Sequence, residues 1–337
     1  MAKEPLLSSG LYLLNLACSG TTKGFIRKGQ FFFFIGDSST GKSWLAMQIA
    51  AEICLDPEYD DYEIHYNDAE NGALADIDIE KFFGKKLAKR IKVHRFSTVE
   101  QLYDFLNDLY KAGKKFLMIN DSMDSLECEA DIEKFEEQKN ARKKGKQVAG
   151  TYGTEKARIN SRNLRRIANK ELPKTGSIFI NISQTRDNIR FGFAEKTRSG
   201  GKALDFYSHL SIWTSKEKPL KQNVNGKDRS IGGNIKFKIT KNRVSGRYAT
   251  IIIPFFFHYD FDNVLSCTNF LLDEKHWKKT AGKVVMKEFN KTISLKAAAA
   301  WIEKTNNEDQ LKKIVKKVWM GIEEQMRITK ERKTRYK

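Results

Sequence analysis

Residues 31–43 read Phe31-Phe32-Phe33-Phe34-Ile35-Gly36-Asp37-Ser38-Ser39-Thr40-Gly41-Lys42-Ser43, and Trp44-Leu45-Ala46-Met47-Gln48-Ile49-Ala50-Ala51-Glu52-Ile53 follows without a break. An unbroken run of bulky apolar residues suits a strand buried on both faces, and the stretch after Ser43 has the composition of a helix. Between them stands Gly-x4-Gly-Lys-Ser. In that setting, backbone N–H groups and a helix N-terminus converge on one concavity, where phosphate charge is stabilised. Gly36, Asp37, Ser38, Ser39, Thr40, Gly41, Lys42 and Ser43 are therefore the expected nucleotide-binding set. Lys42 is placed for the β- and γ-phosphates and Ser43 for a magnesium ion.

Composition narrows the partner. The chain has 337 residues, 40% of them apolar, enough for one large domain and a small one. Its formal net charge is +19 and its isoelectric point near 9.6, a field that attracts polyanions, so nucleic acid is the leading partner. Cys18, Cys54, Cys128 and Cys267 are scattered, without a Cys-x-x-Cys pair, and fit reduced thiols in a cytosolic compartment. The five histidines are equally dispersed and give no zinc pattern. Leu11 to Cys18 looks like a secretion segment, yet it is short and Glu4 spoils a basic start, so it reads as a core helix. No stretch is long enough to span a membrane.

Further along, apolar strands alternate with helical patterns. Glu63 to Asn67 reads as a second strand, which in a doubly wound sheet can lie beside the first, and it is closed by Asp68-Ala69-Glu70-Asn71; Ile91 to Phe96 reads as another. Val99, Leu102, Phe105, Leu106, Leu109 and Tyr110 fall at helical spacing, and Gly113 stops that helix. Phe116 to Ile119 ends in Asn120-Asp121-Ser122, and Ile178 to Ile182 ends in Ser183-Gln184-Thr185. This alternation predicts an α/β fold with a mainly parallel twisted sheet flanked by helices. Chemistry in such sheets gathers at the C-terminal strand ends. Asp121 is placed to hold magnesium, Glu70 to polarise a water, and Gln184 to sense the γ-phosphate. Glu70, from position alone, equally suits an exposed surface.

Lys139, Arg142, Lys143, Lys144, Lys146, Lys156, Arg158, Arg162, Arg165, Arg166 and Lys170 face a lone Glu155 in the segment before Ile178, with Gly145, Gly150, Tyr152 and Gly153 among them. A glycine-broken basic loop with an aromatic suits a nucleic-acid backbone, while the same charges also suit a solvated helix face. Extended segments follow at Leu210 to Thr214, Ile235 to Thr240 and Ala249 to Phe257. Asn225-Gly226 and Gly232-Gly233 read as the turns between the first two. The main domain is expected over 1–262. A small helical or α+β domain, with amphipathic stretches at Ala297 to Glu303 and Asp309 to Met326, is expected over 263–337, ending in a basic tail.

These residues together resemble the bacterial RecA family and its phage recombinase relatives. Asp68-Ala69-Glu70 looks like the family's run with the catalytic glutamate, and Ile119-Asn120-Asp121-Ser122 like its Walker B strand. Ile180 to Arg186 is similar to the strand leading to a second DNA-binding loop, and Gly200-Gly201-Lys202-Ala203-Leu204-Asp205-Phe206-Tyr207 to the run that closes it. Lys241-Asn242-Arg243 resembles the family's Lys-Asn-Lys, and Ala300-Trp301-Ile302 with the lysine-rich helix after it resembles the C-terminal domain.

The resemblance implies a RecA-like P-loop ATPase core using ATP and Mg2+, with catalytic Lys42, Glu70, Gln184, Lys241 and Arg243 and metal-binding Ser43 and Asp121. It implies a DNA-dependent ATPase that coats single-stranded DNA as a helical filament and exchanges strands with double-stranded DNA. Lys241 and Arg243 would reach a neighbouring protomer's γ-phosphate. Two DNA-binding loops are implied, near 127–166 (Lys139, Arg142, Lys143, Lys144, Lys146, Arg158 and Arg162) and 186–199 (Arg186, Arg190, Phe191, Phe193, Lys196 and Arg198, closed by Gly200 and Gly201). The setting implied is the cytoplasm of a bacterial cell or a phage-infected host. Departures are the short stretch Met1 to Leu7 before the core, Arg243 in place of a lysine, and a basic instead of an acidic tail. A ring-forming replicative helicase of the same superfamily, and a DNA binder without turnover, are the competing readings.

Overall fold

The structure, a computed structural model, describes residues 5–72, 74, 77–144, 154–190, 193–198 and 201–326. The main strands are β1 (Phe31–Gly36), β2 (Glu63–Asp68), β3 (Ile91–His94), β4 (Phe116–Asp121), β5 (Ile178–Arg190), β6 (Phe193–Arg198), β7 (Leu210–Val224), β8 (Lys227–Asn242), β9 (Thr250–Phe256) and β10 (Asp260–Phe261). Among the described residues they form one ten-stranded sheet, ordered β10-β9-β8-β7-β1-β5-β4-β2-β3, with β6 paired to β5 off that path. The centre is parallel, and β7 to β10 extend it as an antiparallel flank.

Helices α1 (Tyr12–Ser19), α2 (Lys42–Leu55), α3 (Ile79–Arg90), α4 (Val99–Lys111), α5 (Glu129–Lys143), α6 (Thr154–Arg166), α7 (Leu172–Thr175) and α8 (Ala203–Tyr207) wrap this sheet. The period-2 alternation of strand side chains splits β1 between two cores. Phe32 and Phe34 join Ile64, Leu117 and Ile180 beneath α1 and α2, while Phe31, Phe33 and Ile35 join Phe116, Met118 and Phe179 beneath α4 and α6. Both faces being covered explains why the run 31–35 carries no polar residue. Helix α4 forms because Val99, Leu102, Leu106 and Leu109 share one buried face. Its start is fixed reciprocally: Thr98 Oγ1 accepts from Gln101 N at 3.3 Å, and Ser97 N donates to Gln101 Oε1 at 2.9 Å.

Beyond residue 262, α9 (Asn263–Asp273), α10 (Leu295–Lys304) and α11 (Glu308–Gln325) accompany a three-stranded antiparallel sheet, β11 (Lys278–Thr280), β12 (Lys283–Met286) and β13 (Lys291–Ser294). Buried Trp277, Met286, Ile302 and Leu311 join the same apolar cluster as α1 and α2. No helix among the described residues is long and apolar enough to cross a membrane.

Four sequence expectations need correction. Strand β2 does not lie beside β1: β5 and β4 stand between them. Much of 127–166 is not loop, since α5 and α6 occupy it on either side of residues that lie outside the description. The segment 186–199 is largely a hairpin, with β5 and β6 registered from Thr185↔Arg198 to Arg190↔Phe193. Gly232-Gly233 is not a turn but sits inside β8, opposite Phe256 and Phe255. The turn is Asn225-Gly226, where both residues have positive φ (54° and 74°), as a two-residue hairpin loop of this kind requires.

Candidate active site

Parallel pairing aligns the C-terminal ends of β1, β5, β4 and β2. Gly36 pairs with Gln184, Asn120 with Asn181, and Asp68 with Asp121. The loop after β1 then turns over the start of α2, with Ser39 (φ 57°) and Gly41 (φ 79°) in the left-handed region. At Gly41 a Cβ would also stand 2.7 Å from the Phe261 ring, so only glycine fits. Lys42 is 6% exposed and its ammonium donates to the Asp37 carbonyl at 2.6 Å. Burial lowers its pKa, against the opposing fields of Asp121, Glu70, Asp37 and Asp124.

Ser43 Oγ donates to Asp121 Oδ2 at 2.5 Å, and the Tyr66 hydroxyl donates to the same oxygen at 2.5 Å. Burial raises the Asp121 pKa, partly offset by these two hydrogen bonds. A hydroxyl and a carboxylate converging in this way form the hard oxygen pair that magnesium takes. Residue Tyr66 was not foreseen: on β2 it reads only as another core aromatic.

The Glu70 carboxylate accepts from Gln184 Nε2 at 2.7 Å and from Ser122 Oγ at 3.0 Å through one oxygen, Oε1. Gln184 is held from behind, because Asp124 Oδ2 accepts its backbone N–H at 2.7 Å and the Ser183 hydroxyl at 2.6 Å. The next residue, Thr185, donates to the Asp37 carboxylate of the phosphate loop. The start of the β5–β6 hairpin is thus tied to both Glu70 and the loop. Ser122 and Asp124 were also unforeseen, since neither forms a motif by itself.

Loop, Glu70, Asp121 and Gln184 line one cavity of about 850 Å³. Its far wall comes from Trp44, Ile77, Phe255, Phe257 and the base of the β7–β8 ribbon at Lys216 to Pro219. This wall is another part that sequence reading did not supply. Trp44 packs on Phe82, Phe83 and Phe255 at centroid distances of 5.0, 5.1 and 5.4 Å.

Lys241 and Arg243 are not brought to this cavity. Lys241 Nζ donates to the carbonyls of Asp205 and Phe206, and Arg243 Nη2 to that of Phe206 at 3.3 Å, so both sit at the C-terminal end of α8. Of the cationic set, Lys139 pairs with Glu136 at 3.1 Å and Arg158 with Glu155 at 2.7 Å, while Arg142, Lys143, Lys144 and Arg162 are exposed on α5, the residue after it, and α6. Lys156 is turned inward onto the Leu126 carbonyl at 2.5 Å. Arg186, Arg190, Phe193, Lys196 and Arg198 lie on the β5–β6 hairpin. Lys146, Phe191 and Gly200 lie outside the described residues. Gly201 has φ 81° and packs where a Cβ would stand 3.0 Å from that of Ala157.

A doubly wound parallel sheet whose central strand feeds a Gly-x4-Gly-Lys-Ser loop into a helix defines the P-loop class of α/β proteins. Comparison with known proteins narrows the class. The model of the RecA N-terminal domain matches residues 3–261, and the chain belongs to the RecA family. A protein RecA of Ureaplasma parvum is 30% identical over 237 residues, covering 67% of this chain and 61% of the relative. One of Malacoplasma penetrans is 27% identical over 320 residues, covering 92% and 87%. One of Helicobacter hepaticus is 30% identical over 231 residues, covering 66% and 58%. The chain thus spans about three fifths of the first of these relatives, and most of the second.

Proposed function

We propose that this chain is an ATP-dependent DNA recombinase: a DNA-dependent ATPase that assembles on single-stranded DNA and promotes pairing and strand exchange with a homologous duplex. The observation that carries the reading is the link Glu70–Gln184–Thr185–Asp37, which joins the candidate hydrolytic carboxylate and the phosphate loop to the base of the β5–β6 hairpin. Family membership and the cationic excess support it.

In this reading Gly36 to Ser43 hold the triphosphate of ATP, and Lys42 leaves the Asp37 carbonyl for the phosphates. The donor set fits magnesium: Ser43 and Asp121 would hold the ion, which when bound neutralises phosphate charge. Glu70 orients and deprotonates the attacking water. Gln184 exchanges its bond to Glu70 for the γ-phosphate, so occupancy of the pocket changes what fixes the hairpin. The hairpin and the exposed cations of α5 and α6 contact the DNA backbone. Lys241 and Arg243, set apart from their own chain's cavity, serve a neighbouring protomer's nucleotide, with self-assembly as the consequence. Residues 1–262 and 263–337 act as ATPase core and small C-terminal domain.

A strand-exchange assay with circular single-stranded and linear duplex DNA, ATP and magnesium tests the whole reading. Joint molecules that need ATP are expected. DNA-stimulated hydrolysis without joint molecules, or closed hexamers that unwind forks, would overturn it.

A further inference from the structure

Tyr62, Tyr66 and Tyr103 are all buried, and their hydroxyls meet partners of different kinds. Tyr62 donates to the Gly176 carbonyl at 2.7 Å and Tyr103 to the Asn160 amide oxygen at 2.8 Å; none of these four residues lines the nucleotide cavity. Tyr66 donates instead to the Asp121 carboxylate at 2.5 Å. The pairing follows from the sheet. Tyr66 stands opposite Ile119 and Asp68 opposite Asp121 in the parallel β2–β4 pair, so Tyr66 and Asp121 point to the same face, two positions apart along the strands. That face carries α2, whose second residue, Ser43, donates to the same Asp121 oxygen. The Asp121 backbone is tied to the end of β2 as well, since its carbonyl accepts from Ala69 N at 2.9 Å.

We propose that Tyr66 is a positioning residue for the magnesium carboxylate: its hydroxyl keeps Asp121 in place when Ser43 turns from Asp121 to the ion. The inference deepens the ATP and magnesium reading of the pocket and rests on it. Asp121 Oδ2 accepts two hydrogen bonds, and their donors differ in kind. Ser43 is itself assigned to the metal, so its bond to Asp121 is given up on loading. Tyr66 is fully buried on β2, and a phenol at the end of a packed ring stays where it is. Its neutral hydroxyl donates and the carboxylate accepts, a charge-assisted bond stronger than one between neutral groups. Packing alone would be met by phenylalanine, whose ring has the same shape. The hydroxyl is what packing does not require, and it meets the one carboxylate assigned to magnesium. Hydrogen-bond partners of this sort fix the orientation of a metal ligand, and their removal costs about 10–100-fold in metal affinity.

The test compares the full parent chain with Tyr66→Phe and Tyr62→Phe. The second variant loses a buried tyrosine hydrogen bond away from the cavity, so it reports what such a loss does to the fold alone. Binding of Mn2+ to the chain–ADP complex is followed by electron paramagnetic resonance, and affinity for a fluorescent ATP analogue is measured over a magnesium series and again in EDTA. Tyr66→Phe is expected to weaken Mn2+ binding about tenfold and to raise the magnesium needed for half-saturation by a similar factor, while affinity in EDTA changes by less than about twofold. Tyr62→Phe should match the parent in every one of these readouts. Phenylalanine keeps the ring in both variants, and denaturant unfolding without metal is expected to find both folded. Parent-like Mn2+ binding and magnesium half-saturation in Tyr66→Phe would overturn the assignment alone, as would equal shifts in the two variants. A parent that binds the analogue no better with magnesium than in EDTA, or does not bind it, would overturn the magnesium reading of the pocket and the role of Tyr66 with it.

Discussion

At the scale of single residues, the site is a set of groups each held by a partner that binding would displace. Lys42 rests on the Asp37 carbonyl at 2.6 Å, and Gln184 on Glu70 at 2.7 Å. On the proposed reading, Lys42→Ala removes the cation assigned to the triphosphate and should lower ATP affinity and turnover by at least about a hundredfold, read by equilibrium binding and phosphate release. Glu70→Gln keeps the shape but cannot take a proton, so turnover should fall by about 10²–10⁴-fold while ATP binding persists; unchanged turnover would remove Glu70 from the mechanism. Asp260 gives a pH signature. Burial pushes its carboxyl from 3.8 up to about 7, against the hydrogen bond from Phe261 N. Between those values the folded chain holds a proton that the unfolded chain has lost, so this group's contribution to stability falls as pH rises from about 4 to about 7. Asp260→Asn should therefore be more stable than the parent at pH 7 and above in denaturant unfolding, with the difference vanishing near pH 4. Asparagine tolerates the positive φ of 125° at this position better than most residues. The phosphate loop was legible because its chemistry lies in consecutive residues. Tyr66, Ser122 and Asp124 were not, because each acquires its role only from a partner on another element.

Among elements, the alignment of three strand ends depends on a ladder of buried amides. Asn67 Nδ2 donates to Asn120 Oδ1 and Asn120 Nδ2 to Asn181 Oδ1, both at 2.8 Å, across β2, β4 and β5. Each asparagine is fully buried. A one-residue slip would break the ladder and move Glu70, Asp121 and Gln184 out of reach of one another. Asn120→Leu should strand the Asn67 amide and the Asn181 carbonyl, destabilising by about 2–6 kcal/mol at about 1–3 kcal/mol per unsatisfied group; denaturant unfolding measures it, and a loss below about 0.5 kcal/mol would deny the ladder its role. The signal was present in the sequence as Asn67-Asp68 and Asn120-Asp121, each at the end of an apolar run. Only strand order, which no local pattern encodes, makes them neighbours, and the same gap put β2 beside β1. Gly232-Gly233 misled for a related reason. Glycine there does not make a turn; Gly232 leaves room for the β9 backbone at Phe255. In α5 and α6, charge density looked like loop, whereas buried Leu164 in α6 and Ile167 just after it place the second of these helices against the sheet.

Over the whole molecule, the +19 charge sits on a fold whose centre was legible from alternating apolar strands and helical faces. The β11–β13 sheet was less so, since Lys278-Lys279-Thr280 is exposed along its length and carries no hydrophobic alternation. DNA affinity should fall steeply with salt, by about 0.9 log units per log unit of salt for each phosphate neutralised on a duplex; a flat response would contradict contact through the cationic surfaces. The central claim is that the state of the Lys42 pocket is relayed through Gln184 to a surface that grips DNA. It is tested most directly by titrating labelled single-stranded DNA with parent chain and Gln184→Ala, with magnesium alone and with magnesium plus a slowly hydrolysed ATP analogue, while nucleotide binding is followed separately. The account predicts that the analogue strengthens DNA binding by the parent about tenfold or more, and that Gln184→Ala binds the analogue yet loses most of that gain. Identical DNA affinity with and without bound analogue in the parent, or full coupling in Gln184→Ala, would contradict it.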